Sequence, residues 1–414
     1  MTSDREVFEI SDIIGQVRQL TGPPYPLAHR MVLTLAGQGV RFWSDVQQGL
    51  RVARTILGPY CDIENGASAE HGADRHWTVH SYRLPDYSAT VDRLLKVFTA
   101  AGISPVPMRR WPGDFASDRY DFSAGRSLVV HRRPFLGLTV FSRDERTMRY
   151  LRPGNAYDVS HTEHVLKYPL RVTLRQAGAA QMHAAGCTFR GRGLLLMGHK
   201  GSGKSTLLCR FMSRGARQVS NDLSFALRTP DGAWDMIAFP HITRVARGTV
   251  DDNRTLHDAL EYEERTGDYM SSPVFNGGKE EFYFPVLERI WGRSPLCRSA
   301  PLDLIVFPSF DERRTVAAVR VLPRNETRER VLHTLVDDPP LPDWLPFMSA
   351  AEFRSLASAT ADSLLASDPE ACELTFGPSG SDPVGAMEGF WPEKASTAIL
   401  RSFTGADTER GERV

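Results

Sequence analysis

No apolar run in the 414 residues approaches the roughly 20 that a membrane-spanning helix needs. Cysteine is sparse: the five residues at 61, 187, 209, 297 and 372 are odd in number and show no CxxC spacing. That pattern argues against a disulfide framework or a zinc site and suits a reducing compartment. An excess of charge of either sign is also missing, with 50 Lys and Arg against 50 Asp and Glu. A chain of zero net charge has no global pull toward nucleic acid or an anionic membrane surface. The N-terminus is acidic and polar, so a cytoplasmic protein with neither membrane nor nucleic-acid partner is expected. Internal repeats, low-complexity tracts and the HExxH metal spacing are absent as well.

What is present is an ordinary globular composition, 41% apolar and 24% charged, long enough for two or three domains. Turn-forming residues at Leu151-Arg-Pro-Gly-Asn155 and Pro339-Pro-Leu-Pro342 suggest the divisions. They predict a mixed α/β domain over 1–155 for substrate or partner recognition, a second unit over 156–340, and a helical extension with a disordered tail over 341–414. In the first, apolar spacing predicts a short helix before Thr21, helices over Phe42–Leu57 and Ser88–Ala101, and strands at His29–Leu35, His76–Leu84, Ser127–Val130, Leu136–Phe141 and Thr147–Leu151. Cys61–Arg75 is expected to be a loop. Ser160–Ala180 has helical spacing, with Pro169 expected to kink or divide it. Later, Gln181–Phe189 predicts a strand, Gln218–Leu227 a strand interrupted by a polar pair, and Asp231-Gly232 a hairpin turn returning through Trp234–Phe239. Thr249–Gly278 is charged and irregular and is expected to be a mobile excursion. Phe282–Phe284 and Leu302–Phe307 predict strands, the latter pairing with Thr315–Val321, and Glu326–Val336 a helix.

The most informative stretch is Arg192-Gly-Leu-Leu-Leu-Met-Gly-His-Lys-Gly-Ser-Gly-Lys-Ser-Thr-Leu-Leu208. It predicts a buried strand, a glycine turn and the first turn of a helix ending near Gly215. Gly198-x-x-x-x-Gly203-Lys204-Ser205 is a complete Walker A pattern. Glycines let successive backbone N–H groups converge on one phosphate, and the helix start adds about half a positive charge. The loop Gly198, His199, Lys200, Gly201, Ser202, Gly203, Lys204, Ser205 and Thr206 is therefore expected to hold a nucleoside triphosphate. Lys204 would reach its β- and γ-phosphates, and Ser205 its Mg²⁺.

Chemistry needs partners beyond this loop. His183 precedes it by a strand and a tight turn, and a histidine there either meets the nucleotide or is satisfied within the sheet. Asn221-Asp222 lies on the strand after the loop's helix, where an acid can hold Mg²⁺ or accept a hydroxyl proton. Arg244 and Arg247 are candidates to clamp phosphate charge, and Lys279-Glu280-Glu281 to close over the substrate. His161 and His164, at i and i+3, fit a solvated helix face better than a metal site. An LSGGQ-like signature, an NKxD guanine reader and an apolar run ending in Asp-Glu are all missing, which weighs against a transporter ATPase, a motor or a switch GTPase.

His183-Ala184, the Walker A at that spacing, Gly215-Ala-Arg217 and Val219-Ser-Asn-Asp-Leu223 together resemble the HPr kinase / PEP carboxykinase-type nucleotide-binding domain. The likeness spans roughly residues 165–335 and is strongest to HPr-kinase-related proteins. It implies an α/β P-loop fold with a mixed sheet, ATP and Mg²⁺ as cofactors, and transfer of the γ-phosphate to a hydroxyl of a small metabolite, peptide or protein. By position it implies Asp222 and Ser205 on the metal side, His183 near the transferred phosphate, and homo-oligomeric assembly as one possibility. The sequence departs from that family at Asn221, where an acid commonly viewed as the base is usual. The proton then falls to Asp222 or His183, or the acceptor needs little deprotonation. An ATP-binding regulatory or partner-binding protein with reduced catalysis is the alternative.

Overall fold

The computed structural model describes residues 10–22, 27–65, 76–106, 116–123, 125–133, 136–154, 159–261, 274–292, 294–337, 347–378 and 380–391. It is an α/β structure with mixed sheets. In chain order, the first half contains α1 (Ile10–Thr21), β1 (His29–Leu35), β2 (Gln38–Ser44), α2 (Gln47–Leu57), β3 (Asp62–Asn65), β4 (Trp77–Arg83) and α3 (Tyr87–Ala100). Then come β5 (Ala116–Ser123), β6 (Arg126–Arg133), β7 (Gly137–Ser142), β8 (Thr147–Arg152) and α4 (Val159–Gln176). The eight strands form one sheet, ordered β3-β1-β2-β4-β8-β7-β6-β5. Alternation sends Met31, Leu33, Phe42, Val79, Phe141 and Met148 to one face, where α2 and α4 cover them. Tyr82, Leu128, Val130, Leu138 and Leu151 line the opposite face against α1 and α3.

The second half begins with β9 (Ala180–Met182), β10 (Ala184–Phe189), β11 (Arg192–Met197), α5 (Lys204–Met212), β12 (Arg217–Ser220), β13 (Ser224–Arg228) and β14 (Trp234–Ile237). It continues through β15 (Thr243–Ala246), α6 (Arg247–Asp251), α7 (Arg254–Glu261), β16 (Val274–Asn276), β17 (Lys279–Phe282), α8 (Phe284–Trp291) and β18 (Ser299–Pro301). Last are β19 (Leu304–Phe310), β20 (Ala318–Val321), α9 (Arg324–Leu332) with a π-helical turn at His333–Asp337, α10 (Ala350–Ala366), β21 (Glu370–Phe376) and α11 (Pro383–Phe390). A six-stranded sheet, β12-β10-β11-β19-β21-β20, adjoins a four-stranded one, β18-β14-β13-β9, and a three-stranded one, β15-β17-β16. β11 and β19 are almost wholly apolar because both are central, and they run parallel with Leu194 beside Leu304. No helix among the described residues is long and apolar enough to cross a membrane, and all five cysteines are free thiols.

Several expectations change on contact with the fold. Phe42–Leu57 divides into the end of β2 and α2, and part of the expected loop after Cys61 is β3, an edge strand. Pro169 is accommodated inside one continuous helix, α4. Thr249–Glu261, expected to be irregular, is largely two short helices packed on Val250, Leu256 and Leu260. Residues 262–273 lie outside the described residues. Phe284 opens a helix rather than ending a strand.

The largest difference lies after residue 341. The helix expected near Trp344–Ala366 is present as α10, but the next segment is a strand, β21, inserted between β19 and β20. β20 therefore pairs with β21 and not with β19. Phe347 reaches back to the first sheet, 4.8 Å from Trp77 and 4.5 Å from Phe141 between ring centroids. Residues 405–414, where a disordered tail was expected, lie outside the described residues.

Candidate functional site

Strand direction explains why candidate residues meet. β12, β11, β19 and β21 point the same way, and antiparallel β10 runs between β12 and β11. The carboxyl ends of the four strands and the amino end of β10 thus share one edge of the six-stranded sheet. Gly198 leaves β11 there, Asn221 leaves β12, and His183 enters β10. β12 is not adjacent to β11; β10 separates them and puts His183 in the gap.

His183 and Asn221-Asp222 occupy equivalent places in a second sense. His183 joins β9 of the four-stranded sheet to β10 of the six-stranded one. Asn221, Asp222 and Leu223 join β12 of the six-stranded sheet to β13 of the four-stranded one. Two neighbouring strands change sheets side by side, with Ser224 Oγ bonding Ala184 O at 2.7 Å and Ser220 Oγ 2.5 Å away. Asp222 absorbs the bend with φ +74°, in the left-handed region that Asp and Asn tolerate better than most residues. That bend sets the carboxylate against two imidazoles. His183 Nε2 lies 2.9 Å from Oδ1, and His241 Nε2 lies 3.7 Å from Oδ2, outside hydrogen-bond length. Burial pushes the Asp222 carboxyl up, but His183 and His241 outweigh it and hold the group well below the usual carboxylate range.

The glycine loop runs from β11 to α5. Gly203 is the N-cap, with φ +94°, and having no side chain it offers the first amides of α5 no cap. A Cβ at Gly203 would stand 2.8 Å from Phe376 Cζ and 3.1 Å from Phe310 Cβ. The aromatic ends of β19 and β21 are the loop's floor. His199, Lys200 and Gly201 form its exposed crest, whereas Ser202 and Lys204 are buried. An ammonium only donates, and Lys204 Nζ donates to Gly198 O at 2.6 Å and His199 O at 3.0 Å.

Ser205 Oγ donates to Asn221 Oδ1 at 3.2 Å. Thr206 Oγ1 is 2.7 Å from Thr249 Oγ1, tying α5 to α6. Farther along α5, Arg210 bonds Asp252 at 2.5 Å and Gly377 O at 2.8 Å, fastening the helix to the end of β21.

The expected clamp is committed elsewhere. Arg244 Nε donates to the buried Glu281 at 2.7 Å, across the β15–β17 pair. Arg247 pairs with Asp251 at 3.0 Å and lies 3.5 Å from Glu280. Glu280 and Glu281 are thus buried strand residues rather than parts of a closing flap. His161 and His164 fall within α4, and their side chains lie outside the described residues.

No family model matches the chain, and no curated protein matches it.

Among the described residues no group of three or more His, Cys, Asp and Glu is placed to hold a metal by itself. The clefts of the first half, such as that between Ala28, Arg30, Leu50 and Arg54, share no residue with this sheet edge. Two side-chain atoms at the edge are buried without a partner, Ser202 Oγ and Asn221 Nδ2. Buried polar groups left this way cost about 1–3 kcal/mol each. They are the sort of atoms that a bound polar ligand relieves.

Sequence reasoning passed over His241. It follows Phe239-Pro240 between β14 and β15, in no motif, and only the change of sheet brings it to Asp222. Phe310 and Phe376 were missed for the same reason, since their contact with Gly203 depends on β21 entering the sheet.

Proposed function

We propose that the chain binds ATP with Mg²⁺ on the Gly198–Thr206 loop and transfers the γ-phosphate to a hydroxyl of a small metabolite or of a Ser or Thr in a peptide. The observation that carries this reading is the shared sheet edge: an uncapped helix start with a buried lysine, and a His–Asp pair at the neighbouring strand ends. Ligands of α/β sheets collect at such edges. The resemblance to HPr-kinase-type domains agrees with it.

The residues present fit a triphosphate and its metal. The amides at the start of α5 and the buried Ser202 hydroxyl suit phosphate oxygens. Ser205 and Asn221, already bonded to each other, are the side chains that would hold Mg²⁺, which supplies charge neutralisation when bound. Lys204 would exchange its loop carbonyls for phosphate oxygens.

Asp222 is poorly suited to be the base, because a carboxylate held so far below neutrality takes a proton weakly. Its role is to keep His183 oriented. With Nε2–H donated to Asp222, His183 has Nδ1 as its acceptor. In transfer, the substrate oxygen forms a bond to the γ-phosphorus, the bond to the β–γ bridging oxygen breaks, and the hydroxyl proton passes to His183 Nδ1. ADP leaves.

Incubation with γ-labelled ATP, Mg²⁺ and pools of hydroxyl metabolites and Ser/Thr peptides tests this. Label should appear on an acceptor, and Lys204→Ala should abolish it. Tight ATP binding with no transfer to any pool would favour a nucleotide-sensing regulator, the reading that the neutral Asn221 supports.

A further inference from the structure

Lys167 is an unusual residue for its position. It lies on α4, which packs on the first sheet, yet it is 7% exposed and its ammonium reaches His241 at the sheet edge just described. Its Nζ stands 3.4 Å from His241 Nδ1. A lysine ammonium has three donors and no acceptor, so His241 Nδ1 must supply the lone pair. A neutral imidazole accepting at Nδ1 carries its proton on Nε2, the nitrogen that faces Asp222 Oδ2 at 3.7 Å. Lys167 thus donates to His241 and His183 to Asp222, while the Nε2–H of His241 faces the other carboxylate oxygen across 3.7 Å, an electrostatic contact beyond hydrogen-bond length.

We propose that Lys167 and His241 are positioning residues for the Asp222 carboxylate, and that through them α4 couples the first sheet to the reaction site. The proposal deepens the kinase reading and rests on it for its catalytic half. Lys167 fixes the tautomer of His241, and the positive end of its Nε2–H, turned to Oδ2, favours the orientation that keeps Oδ1 on His183. Neither residue touches the reacting atoms. Their removal leaves the nucleotide loop intact and turns the carboxylate, so turnover falls and ATP affinity does not. A partner or substrate that shifts the first sheet against α4 acts on the same carboxylate.

The test is long-range proton–nitrogen NMR of the full chain labelled at histidine nitrogens, without nucleotide, with His241→Gln to assign the signal. The expected spectrum shows His241 as a single tautomer, protonated at Nε2. Lys167→Met should give a mixture of both tautomers, and Lys167→Arg, which can also only donate, should restore the single one. An Nδ1-protonated His241, or a spectrum that ignores Lys167→Met, overturns the proposal whether or not the chain transfers phosphate. Steady-state kinetics complete it: Lys167→Met should lower kcat on the order of tenfold with KM for ATP within about twofold, and Lys167→Arg should recover most of it. A kcat unchanged in Lys167→Met, beside an active parent, overturns the catalytic half. A parent with the expected tautomer and no transfer refutes the kinase reading and, with it, that half alone. Circular dichroism separates unfolded variants from these outcomes, and Lys167→Arg serves if Lys167→Met does not fold.

Discussion

His183 Nε2 and Asp222 Oδ1 stand 2.9 Å apart at the point where β9–β10 and β12–β13 change sheets together. Because the bend that joins them is local to two strand junctions, the pair can be removed without disturbing the nucleotide loop. Asp222→Asn keeps the tolerated left-handed backbone and removes only the charge. It should cut phosphoryl transfer on the order of 100- to 10,000-fold, with ATP affinity within severalfold. His183→Ala should cost a similar factor, and the double variant little more than either, because the residues act as a unit. Additive losses in a double-mutant cycle would show that they work separately.

Gly203 has two reasons to be glycine, its φ of +94° and the rings beneath it. Gly203→Ala should destabilise the fold by about 1–3 kcal/mol and weaken ATP binding, as Phe376 is pushed aside. Thermal unfolding and ATP titration read the two effects; a variant unchanged in both would mean the loop does not need this geometry.

Acid sensitivity should come from the first sheet. Burial pushes His80 down from its ordinary 6.5 to about 4, with Arg149 adding to the effect. Both ring nitrogens are buried without a partner. The unfolded chain then binds the proton more readily than the folded one, so this contribution is fully present above about pH 6.5, falls as pH drops toward 4, and is flat below. The loss amounts to about 3 kcal/mol. His80→Leu should flatten the stability profile in that window, as measured by urea unfolding between pH 4 and 7. A profile as steep as the parent's would place the titration elsewhere.

A chain ending at residue 340 should not fold. It lacks β21, which pairs along its whole length with β19, and Phe376, which floors the loop. It also frees Arg210 from Gly377 and Ser381. A soluble, cooperative truncation with the parent's circular dichroism would contradict this.

β21 is the element of the fold least visible in the sequence. β11, α3, α5 and the broken strand Gln218–Leu227 were legible because their signals are local: an apolar run, a helical stripe, a glycine stop, a polar interruption. The Walker A residues were legible because backbone curling imposes residue types at fixed spacing. β21 was not, since Ala371, Cys372, Leu374 and Phe376 make a short apolar pattern that becomes a central strand only when β19 and β20 part around it. The site was half legible for the same reason. His183 and Asp222 could be nominated from their distance to the loop, but not the pairing that sets one against the other. Arg244 carried the right charge for a phosphate clamp, and the register of β15 on β17 gave it Glu281 instead.

The most direct test is calorimetric titration of the parent and of Lys204→Ala with ATP in the presence of Mg²⁺. The parent should bind one equivalent with Kd on the order of 10–1000 µM, and Lys204→Ala should bind on the order of 10- to 100-fold more weakly. A parent that takes up no ATP at millimolar concentration, or a variant that binds as the parent does, would contradict the account.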